Sequence, residues 1–298
     1  MTMDAAELTL IRSSFEGALR DTPAEGVAEA LATLGWDELR QAEPMVAVAE
    51  LFEAQGRLLA VTPMLDAVVA DALGLEVSAG SALLHPGLAS WAGPPGAVSV
   101  DSAAVESVPV AGFDETMRLV LVRGRVPAGE RAAAGVPGTA ASAAGVSWSA
   151  ACAAGRRALA HELCGLAQQM LDTAARHVTD RHQFGRPIAA VQTVRHRLTE
   201  VHVAIAAARP VLDAAWTTGH PLAADAAKAL AGRAGQLAAK HCLQVTGAIG
   251  FTWEYELHHQ IRRAHLLDGL YGSARALQAA IGADLLARGA VPRIHPLP

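Results

Sequence analysis

The nine residues Asp180–Ile188, which read Asp-Arg-His-Gln-Phe-Gly-Arg-Pro-Ile, form the strongest candidate binding site in the sequence. Arg181 offers a forked, charged donor that suits a phosphate, and Phe184 offers an apolar wall. Gly185 allows a tight turn, and Pro187 suits the first position of a following helix, whose free N–H groups would face an anion. The segment therefore predicts either a phosphate site or a purely structural connection between two helices.

A second candidate is the segment Gln244–Phe251, which reads Gln-Val-Thr-Gly-Ala-Ile-Gly-Phe. Its small residues let another group approach the backbone closely, and the Gln244 amide can both donate and accept a hydrogen bond. The structural alternative is a helix that ends at Gly247, followed by a tight turn at Gly250.

Most other catalytic and metal-binding motifs are missing. The sequence contains no G-x-G-x-x-G after a strand, no G-x-x-x-x-G-K-[ST] and no G-x-S-x-G. His161-Glu162 begins like a zinc-protease helix, but the residue four positions after His161 is Gly165. His258 and His259 are adjacent, so they cannot share one metal-binding helix face. We therefore expect no metal site.

Composition narrows the class of protein. The chain has 298 residues and a net charge of -5; 52% of residues are apolar, 18% charged and 4% aromatic. This excludes a disordered or nucleic-acid-coating chain and favours packed helices. Three separated cysteines without a C-x-x-C motif indicate reduced thiols. With no apolar run of bilayer length and no signal-peptide pattern, we expect a cytoplasmic protein without membrane or nucleic-acid partners.

Residues 1–78 predict an N-terminal helical domain. Apolar residues recur at three- and four-residue steps from Leu8 to Leu19, which is typical of a helix with one buried face. Further helices are expected over Met45–Leu59 and Val61–Leu73.

Residues 79–147 predict a reduced middle β domain and linker. Short strands are expected over Ala97–Val100, Val105–Val110 and Met117–Val122. The stretch Ala132–Gly145 consists almost entirely of small residues and indicates a mobile link.

Residues 148–298 predict a C-terminal four-helix bundle. Apolar positions keep one face of each helix over several turns, and Pro210 is expected to kink or end the second helix. The four expected helices cover about 159–178, 191–205, 221–247 and 263–286.

Together, the two candidate segments resemble the acyl-CoA dehydrogenase family. The pattern R-x-Q-F-G-x-x-[IL], a following Gln and a later Q-x-x-G-x-x-G-[FY] are specific as a pair at this separation. That family also has the domain order described above. The resemblance is clear from Trp148 to Leu286, weak over residues 25–78 and poor between them. It implies a mainly α fold with a small β unit.

In that family the two elements hold the ADP part of FAD across a subunit interface, for a flavin seated mainly in the neighbouring subunit. The resemblance implies that Arg181 binds the diphosphate and that Gln183 and Phe184 line the adenosine side. It also implies that Gln244 and the turn at Gly247 complete the site. The implied cofactor-binding residues are Arg181, Gln183, Phe184, Gln192, Gln244 and Gly247, with Gln192 in a supporting role.

The positions of the family's catalytic base lack a carboxylate in this sequence. Tyr271 stands where the family's Y-E-G-[TS] loop has its Glu, and a phenol with a pKa near 10 is a poor base at neutral pH. The alternative base position, on the first bundle helix, holds Gly155. We therefore expect no catalytic residue in this chain. Glu162 is interpreted as a surface or interface charge, and Glu254 aligns with an acidic residue that is not the base.

The middle segment also lacks the family's flavin-cradling stretch. Nothing from Ser81 to Val126 resembles T-E-P-x-x-G-S-D, and too few strands are expected to wall a flavin and a thioester. At 298 residues the chain is short for the family, and the shortage falls in this middle unit.

These features resemble the smaller subunit of actinobacterial heterotetrameric (α2β2) steroid-type acyl-CoA dehydrogenases. The resemblance implies an oxidoreductase subunit that shares FAD with a larger partner carrying the catalytic Glu. The implied reaction is α,β-dehydrogenation of a bulky, steroid-type acyl-CoA, and the chain is not expected to act alone. Two alternatives stay open: a self-sufficient homo-oligomeric flavoenzyme that uses Glu162 or Tyr271, and a non-catalytic scaffold subunit.

Overall fold

The computed structural model describes residues 3–74 and 148–292, four short strands between them, and the single residues Asp114 and Met117. The helices and strands, in chain order, are α1 (Ala5–Asp21), α2 (Val27–Thr33), α3 (Trp36–Ala42), α4 (Pro44–Leu58), α5 (Met64–Leu73), β1 (Ser81–Leu84), β2 (Val98–Asp101), β3 (Glu106–Pro109), β4 (Val120–Arg123), α6 (Trp148–Asp180), β5 (His182–Gln183), β6 (Arg186–Pro187), α7 (Gln192–Thr218), α8 (Pro221–Thr246), α9 (Leu257–Gly269) and α10 (Ala274–Arg288). The prediction of a mainly helical chain with a small β unit is confirmed. The domain limits at 78 and 147 fall outside the described residues and stay predictions.

The N-terminal helices pack around a small aromatic core. Helix α1 begins with a capping box: the Asp4 carboxylate accepts from the Glu7 N–H, and the Glu7 carboxylate accepts from the Asp4 N–H. Phe15 on its buried face meets Trp36 edge to face, with ring centroids 6.0 Å apart. Phe52 of α4 is also fully buried in this cluster.

The middle strands form two separate antiparallel pairs, β1 with β2 and β3 with β4. Strands β2, β3 and β4 overlap the three predicted strands, whereas β1 was not predicted. The predicted link Ala132–Gly145 lies outside the described residues.

Helices α6, α7 and α8 supply most of the bundle, and their small side chains let them pack closely. The core along α8 is built largely from alanines, among them Ala227, Ala231, Ala234 and Ala238. Pro210 does not end α7, which continues to Thr218. Because Pro210 and Ala206 both lie on the exposed face, water can reach the Ala206 carbonyl that loses its helical donor.

The predicted fourth bundle helix over 263–286 is wrong in one respect, since it is two helices. Residues 270–273 separate α9 from α10. Tyr271 and Gly272 have φ angles of +56° and +100°, which no helix accommodates. The Ser273 hydroxyl then caps α10 by accepting from the Ala276 N–H at 3.3 Å.

Helices α4 and α6 touch backbone to backbone. A Cβ atom added at Gly56 would lie 2.1 Å from the Glu162 carbonyl oxygen, and one added at Gly165 would lie 2.2 Å from the Glu53 carbonyl oxygen. Each helix therefore requires a glycine where it crosses the other. This contact joins the N-terminal helices to the bundle.

Charged groups reinforce that crossing. Arg209 of α7 forms a two-bond ion pair with the Glu53 carboxylate of α4, at 2.9 and 3.0 Å. The Trp216 Nε1–H donates to His161 Nε2 at 3.0 Å, which leaves the Nδ1 proton of His161 facing Glu53. Burial alone would raise the pKa of Glu53, but His161 and Arg209 outweigh it and lower that pKa to about 2.

Within the described part of the chain, no helix combines the length and apolarity that a bilayer crossing needs.

Gly165→Ala is expected to lower the free energy of unfolding by about 2 kcal/mol or more, because backbone atoms opposite the new methyl group cannot rotate away. Gly17→Ala is the matched control, since its Cβ would meet nothing within 4 Å in helix α1, and it should be neutral or stabilising by up to about 1 kcal/mol. Urea unfolding of both variants measures this. Equal effects of the two substitutions would contradict the close crossing.

Candidate cofactor edge and base positions

Residues 182–187 form a tight β-hairpin rather than a helix start. Strands β5 and β6 pair antiparallel, and Phe184 and Gly185 between them have φ angles of +53° and +76°. Two consecutive positive φ angles are what a two-residue I′ turn requires. The prediction that Pro187 begins a helix is wrong: its ψ of 140° is extended, and α7 begins only at Gln192. Only a three-residue 3-10 helix, Ile188–Ala190, follows Pro187 directly, so the N-terminus of the long helix lies at Gln192 and not at Pro187.

Phe184 is strained and uncovered. A bulky side chain at positive φ is unusual and costs of order 1 kcal/mol or more. Its ring is 98% exposed, so no packing within the described chain offsets that cost. The hairpin therefore presents an aromatic ring that its own fold does not need.

The polar residues of the hairpin are also turned to solvent. Arg181 continues the chain from α6, with its N–H donating to the His177 carbonyl at 2.9 Å. The exposed side chains of Arg181 and Gln183 form no ion pair or side-chain hydrogen bond with any described residue. Gln192 lies at the start of α7, where its amide nitrogen is 3.4 Å from His196 Nε2.

The second candidate segment ends α8, as predicted. Gly247 has φ +71° and ψ -146°, a conformation open essentially only to glycine, and its N–H donates to the Leu243 carbonyl. A Cβ at Gly250 would lie 2.9 Å from Leu243 Cδ1. Gln244 is exposed on the last turn of α8, and its side chain has no hydrogen-bond partner among the described residues.

A cavity of about 550 Å³ lies between the end of α6 and the turn that follows the second segment. Arg181 borders it on one side and Glu254 and Tyr255 on the other, with the Tyr255 ring edge-on to His177 at 5.9 Å. It is lined by Thr173, Arg176, His177, Asp180, Arg181, Glu254, Tyr255 and Glu256. The first candidate segment contributes Asp180 and Arg181 to this lining, and the opposite side comes from residues that follow the second segment. Its lining has three carboxylates and two arginines, so the cavity is mixed in charge and is not a simple anion site.

The two positions that the resemblance assigns to a catalytic base lie against each other. A Cβ at Gly155 would lie 3.1 Å from both Cε1 and Cζ of Tyr271, so the ring occupies the space that a longer side chain on α6 would need. Tyr271 is 2% exposed, and burial, followed by the nearby Cys152 and Asp66, raises its pKa far above the ordinary value. Tyr271 therefore stays protonated and cannot accept an α-proton at neutral pH.

Two cations, the half-buried Arg156 and the buried Lys228, hold the loop that carries Tyr271. Arg156 Nε donates to the Tyr271 carbonyl at 3.0 Å, and its Nη1 pairs with Asp225 at 2.6 Å. Lys228 Nζ donates to the carbonyls of Asp268 and Gly272 at 3.1 and 3.4 Å. Burial lowers the pKa of Lys228 to about 8. These contacts fix the ring of Tyr271 against α6.

The interpretation of Glu162 as a surface charge is wrong. Its side chain is buried beside Arg263 of α9, with Oε1 3.6 Å from Nη1. Arg263 is itself fully buried and donates to Asp114 at 2.6 Å and to the Leu59 and Ala60 carbonyls at 3.3 and 3.1 Å. Burial raises the pKa of Glu162 to about 7, although Arg263 opposes the shift.

The sequence reasoning missed Arg263, Lys228 and Asp114. One available signal was the spacing of Glu162, since Leu159 and Leu166 lie on the same face of α6 and both are fully buried. Among the described residues no cluster of His, Cys, Asp and Glu could hold a metal ion.

Residues 146–286 match the family described as "Acyl-CoA dehydrogenase, C-terminal domain". The match covers 141 of the chain's 298 residues, all of them from Val146 onwards. The match covers the hairpin, the α8 end and the loop of Tyr271. The family consists of oxidoreductases, and its members use FAD.

Two curated relatives come from Mycobacterium tuberculosis. The acyl-CoA dehydrogenase IpdE2 is 37% identical over 121 residues, which cover 41% of this chain and 36% of IpdE2. The acyl-CoA dehydrogenase FadE34 is 40% identical over 124 residues, which cover 39% of this chain and 17% of FadE34. Each match therefore spans well under half of the relative.

Solved structures extend the likeness to nearly the whole chain. The steroid ACAD Tcur3481-Tcur3483 superposes with a TM-score of 0.70 at 20% identity, covering 95% of this chain and 98% of its own. The ChsE4-ChsE5 complex from M. tuberculosis gives 0.66 at 16% identity, covering 98% and 99%. At these identities the likeness shows the fold, and it confirms the predicted fold class.

The free energy of unfolding should fall as pH rises from about 5 to 8, because the pKa of Glu162 is raised in the folded chain from its ordinary 4.5 to about 7. Burial disfavours the ionised carboxylate of Glu162. The stability gained from keeping this group protonated is therefore lost as the pH rises through that window, and it amounts to roughly 3 kcal/mol. Glu162→Gln should flatten this part of the profile. Glu38→Gln, an exposed control, should not. Parallel profiles for wild type and Glu162→Gln would contradict the assignment.

Proposed function

We propose that this chain is one subunit of a flavin-dependent acyl-CoA dehydrogenase and that it supplies the ADP side of an FAD site to a larger partner subunit. The reaction is α,β-dehydrogenation of a bulky acyl-CoA. The bound flavin supplies the hydride acceptor, and the partner supplies the carboxylate that takes the α-proton. This chain's residues bind and orient the cofactor.

One contrast carries the proposal. The side chains that would bind the cofactor are exposed to solvent, whereas the two positions of the catalytic base are filled. The side chains of Arg181, Gln183 and Gln244 face solvent, and so does the strained ring of Phe184. Tyr271, by comparison, fills the space against Gly155 and stays protonated. A chain with this pattern can contribute to a cofactor site without performing the proton abstraction.

The residues present fit the ADP end of FAD. Arg181 is a charged fork whose side chain is not committed to an ion pair within the described chain, which suits a diphosphate. Phe184 offers a flat ring to an adenine. Gln244 can both donate and accept, and the backbone at Gly247 is open, since a Cβ there would meet nothing within 4 Å.

The relatives support the heteromeric and steroid parts of the proposal. ChsE4-ChsE5 is named as a complex, and Tcur3481-Tcur3483 is named as a steroid ACAD. We extend both features to this chain: an α2β2 assembly with a larger subunit and a bulky, steroid-type acyl-CoA. The free thiols of Cys152, Cys164 and Cys242 suit a reducing, cytoplasmic setting.

Glu162 gives a specific reason to keep a second candidate, a self-sufficient flavoenzyme. A buried carboxylate with a pKa of about 7 has the proton affinity of a general base. Against that role, Glu162 is enclosed by Arg263, Asp114 and Gln55 and is only 5% exposed. We therefore favour a structural role for it.

The chain produced alone is expected to retain little FAD and to show no acyl-CoA oxidation. Produced with an acyl-CoA dehydrogenase subunit that has an intact catalytic Glu, it should form a yellow complex that reduces an electron acceptor. Flavin absorbance after gel filtration and turnover with a steroid-type acyl-CoA measure the two results. Stoichiometric FAD and turnover in the chain alone, abolished by Glu162→Gln, would establish the self-sufficient enzyme instead.

Phe184→Asn should raise or preserve the melting temperature of the chain while it weakens FAD binding by the complex about tenfold or more. Asn is preferred over Phe at positive φ in a two-residue turn, so the substitution should stabilise the hairpin and remove only the contact with the ligand. Arg181→Ala should weaken FAD binding similarly. Flavin fluorescence during dilution measures the affinity.

Val203→Asn is the matched control for these hairpin variants, since it replaces another exposed apolar residue, on α7. Unchanged FAD affinity in both hairpin variants would mean that the hairpin is a structural connection and would favour the scaffold alternative.

A further inference from the structure

Arg263 joins three parts of the chain in the interior. Its guanidinium is fully buried on α9 and donates through Nε to the Asp114 carboxylate at 2.6 Å. Nη1 and Nη2 donate to the carbonyls of Ala60 and Leu59, at 3.1 and 3.3 Å, just after the end of α4. Glu162 of α6 lies beside the same guanidinium, with Oε1 3.6 Å from Nη1. The middle segment, the N-terminal helices and the bundle therefore meet at one side chain.

Two buried carboxylates share this cation unequally. Asp114 forms a short charge-assisted hydrogen bond, whereas the Glu162 contact at 3.6 Å is too long to be a hydrogen bond. If both carboxylates were ionised, one buried cation would face two buried anions, which is costly. The carboxylate with the longer contact, Glu162, is therefore the one that keeps a proton. Burial correspondingly raises the pKa of Glu162 to about 7, against the opposing effect of Arg263.

The other polar groups near Glu162 do not take the place of Arg263. Gln55 of α4 faces the carboxylate as a neutral amide. Three charged groups on helices that pack against α6 have other neighbours: Arg209 of α7 pairs with Glu53, Lys228 of α8 donates to backbone carbonyls, and Asp66 of α5 acts on Tyr271. The protonation of Glu162 therefore depends on whether Asp114 engages Arg263.

The guanidinium cannot serve both carboxylates closely. Its donors point in fixed directions in one plane, and Nη1, which faces Glu162, is also the donor to the Ala60 carbonyl. Turning Nη1 towards Glu162 would draw Nε away from Asp114. Conversely, once Asp114 withdraws, Arg263 is left to pair with Glu162, and the attraction favours the ionised carboxylate.

Asp114 connects this exchange to the middle segment. It lies between β3 and β4 in the chain, and its carbonyl accepts from the Met117 N–H at 3.3 Å. The Met117 side chain packs against the core of the bundle. The two described residues between β3 and β4 therefore both tie this strand pair to the helices.

We propose that Asp114, Arg263 and Glu162 form a proton-dependent latch between the β3–β4 pair and the bundle. In the closed state Arg263 holds Asp114, and Glu162 carries a proton. In the open state Asp114 moves into water, Arg263 pairs with Glu162, and the proton of Glu162 passes to solvent. Opening therefore releases one proton, so a rise in pH favours it. The latch does not depend on the partner or the cofactor of the proposed function.

Hydrogen exchange of the full chain between pH 5 and pH 8, corrected for the intrinsic exchange rate, tests the latch. An isolated pair of strands is only marginally stable in water, so the amides of β3 and β4 should exchange once the latch opens. Their protection should fall about tenfold or more over this range. Glu162→Gln, which mimics the protonated form, should keep the high protection at pH 8. Asp114→Asn should give low protection already at pH 5, because Arg263 then pairs with an ionised Glu162.

Glu38→Gln, an exposed substitution on α3, is the matched control and should keep the wild-type pH dependence. The amides of α8 report global unfolding and should stay more protected than those of β3 and β4 at every pH. Equal protection of β3 and β4 at pH 5 and pH 8 in the wild type overturns the latch, and so does a wild-type pH dependence that persists in Glu162→Gln. Equal protection of the strand pair and α8 would mean that opening is global, which overturns it as well. The melting temperature of each variant confirms folding.

Discussion

The arrangement depends on one steric constraint, the backbone contact between α4 and α6 at Gly56 and Gly165. Because the helices touch at these glycines, the side chains next to them are pressed into the interior. Glu53 on one helix finds Arg209 and His161 there, and Glu162 on the other finds Arg263. The same face of α6 carries Gly155 two turns before Glu162, where Tyr271 packs. A single stripe of α6 thus determines both the domain contact and the closed base position.

Two aromatic residues with positive φ angles differ in how much of the surrounding chain packs against them. Tyr271, with φ +56°, is buried, and the loop around it is fixed by Arg156 and Lys228 through three hydrogen bonds to carbonyl groups. Phe184, with φ +53°, is almost fully exposed. Strain that persists must be offset somewhere. At Tyr271 the compensation comes from these contacts, whereas at Phe184 the backbone pairing of β5 with β6 holds the turn and the ring itself is left exposed, which makes the hairpin a candidate for function.

Sequence reasoning reached the features that local chemistry decides. Neighbouring residues were enough to predict the helical periodicity of α6 and α8 and the glycine cap at Gly247. The structure contains both helices and this cap. It failed where distant partners decide. The residues near Glu162 in the sequence do not predict its contact with Arg263, which lies 101 residues later. The residues near Asp114 likewise do not predict that Asp114 pairs with the same arginine. Pro187 is compatible with a helix start or an extended strand, and the pairing of Gln183 with Arg186 selects the strand.

The filled base position and the exposed residues of the hairpin lie at opposite ends of helix α6. Helix α6 begins beside Tyr271, passes Glu162 and Arg263, and ends at Arg181 and the hairpin. A residue large enough to act as a base at position 155 would displace Tyr271 and disturb the loop between α9 and α10. The end of α6 carries no such restriction, since its side chains face solvent. A substitution at the Tyr271 end of the helix therefore need not disturb the hairpin at the other end, and the two sites can be tested by separate variants.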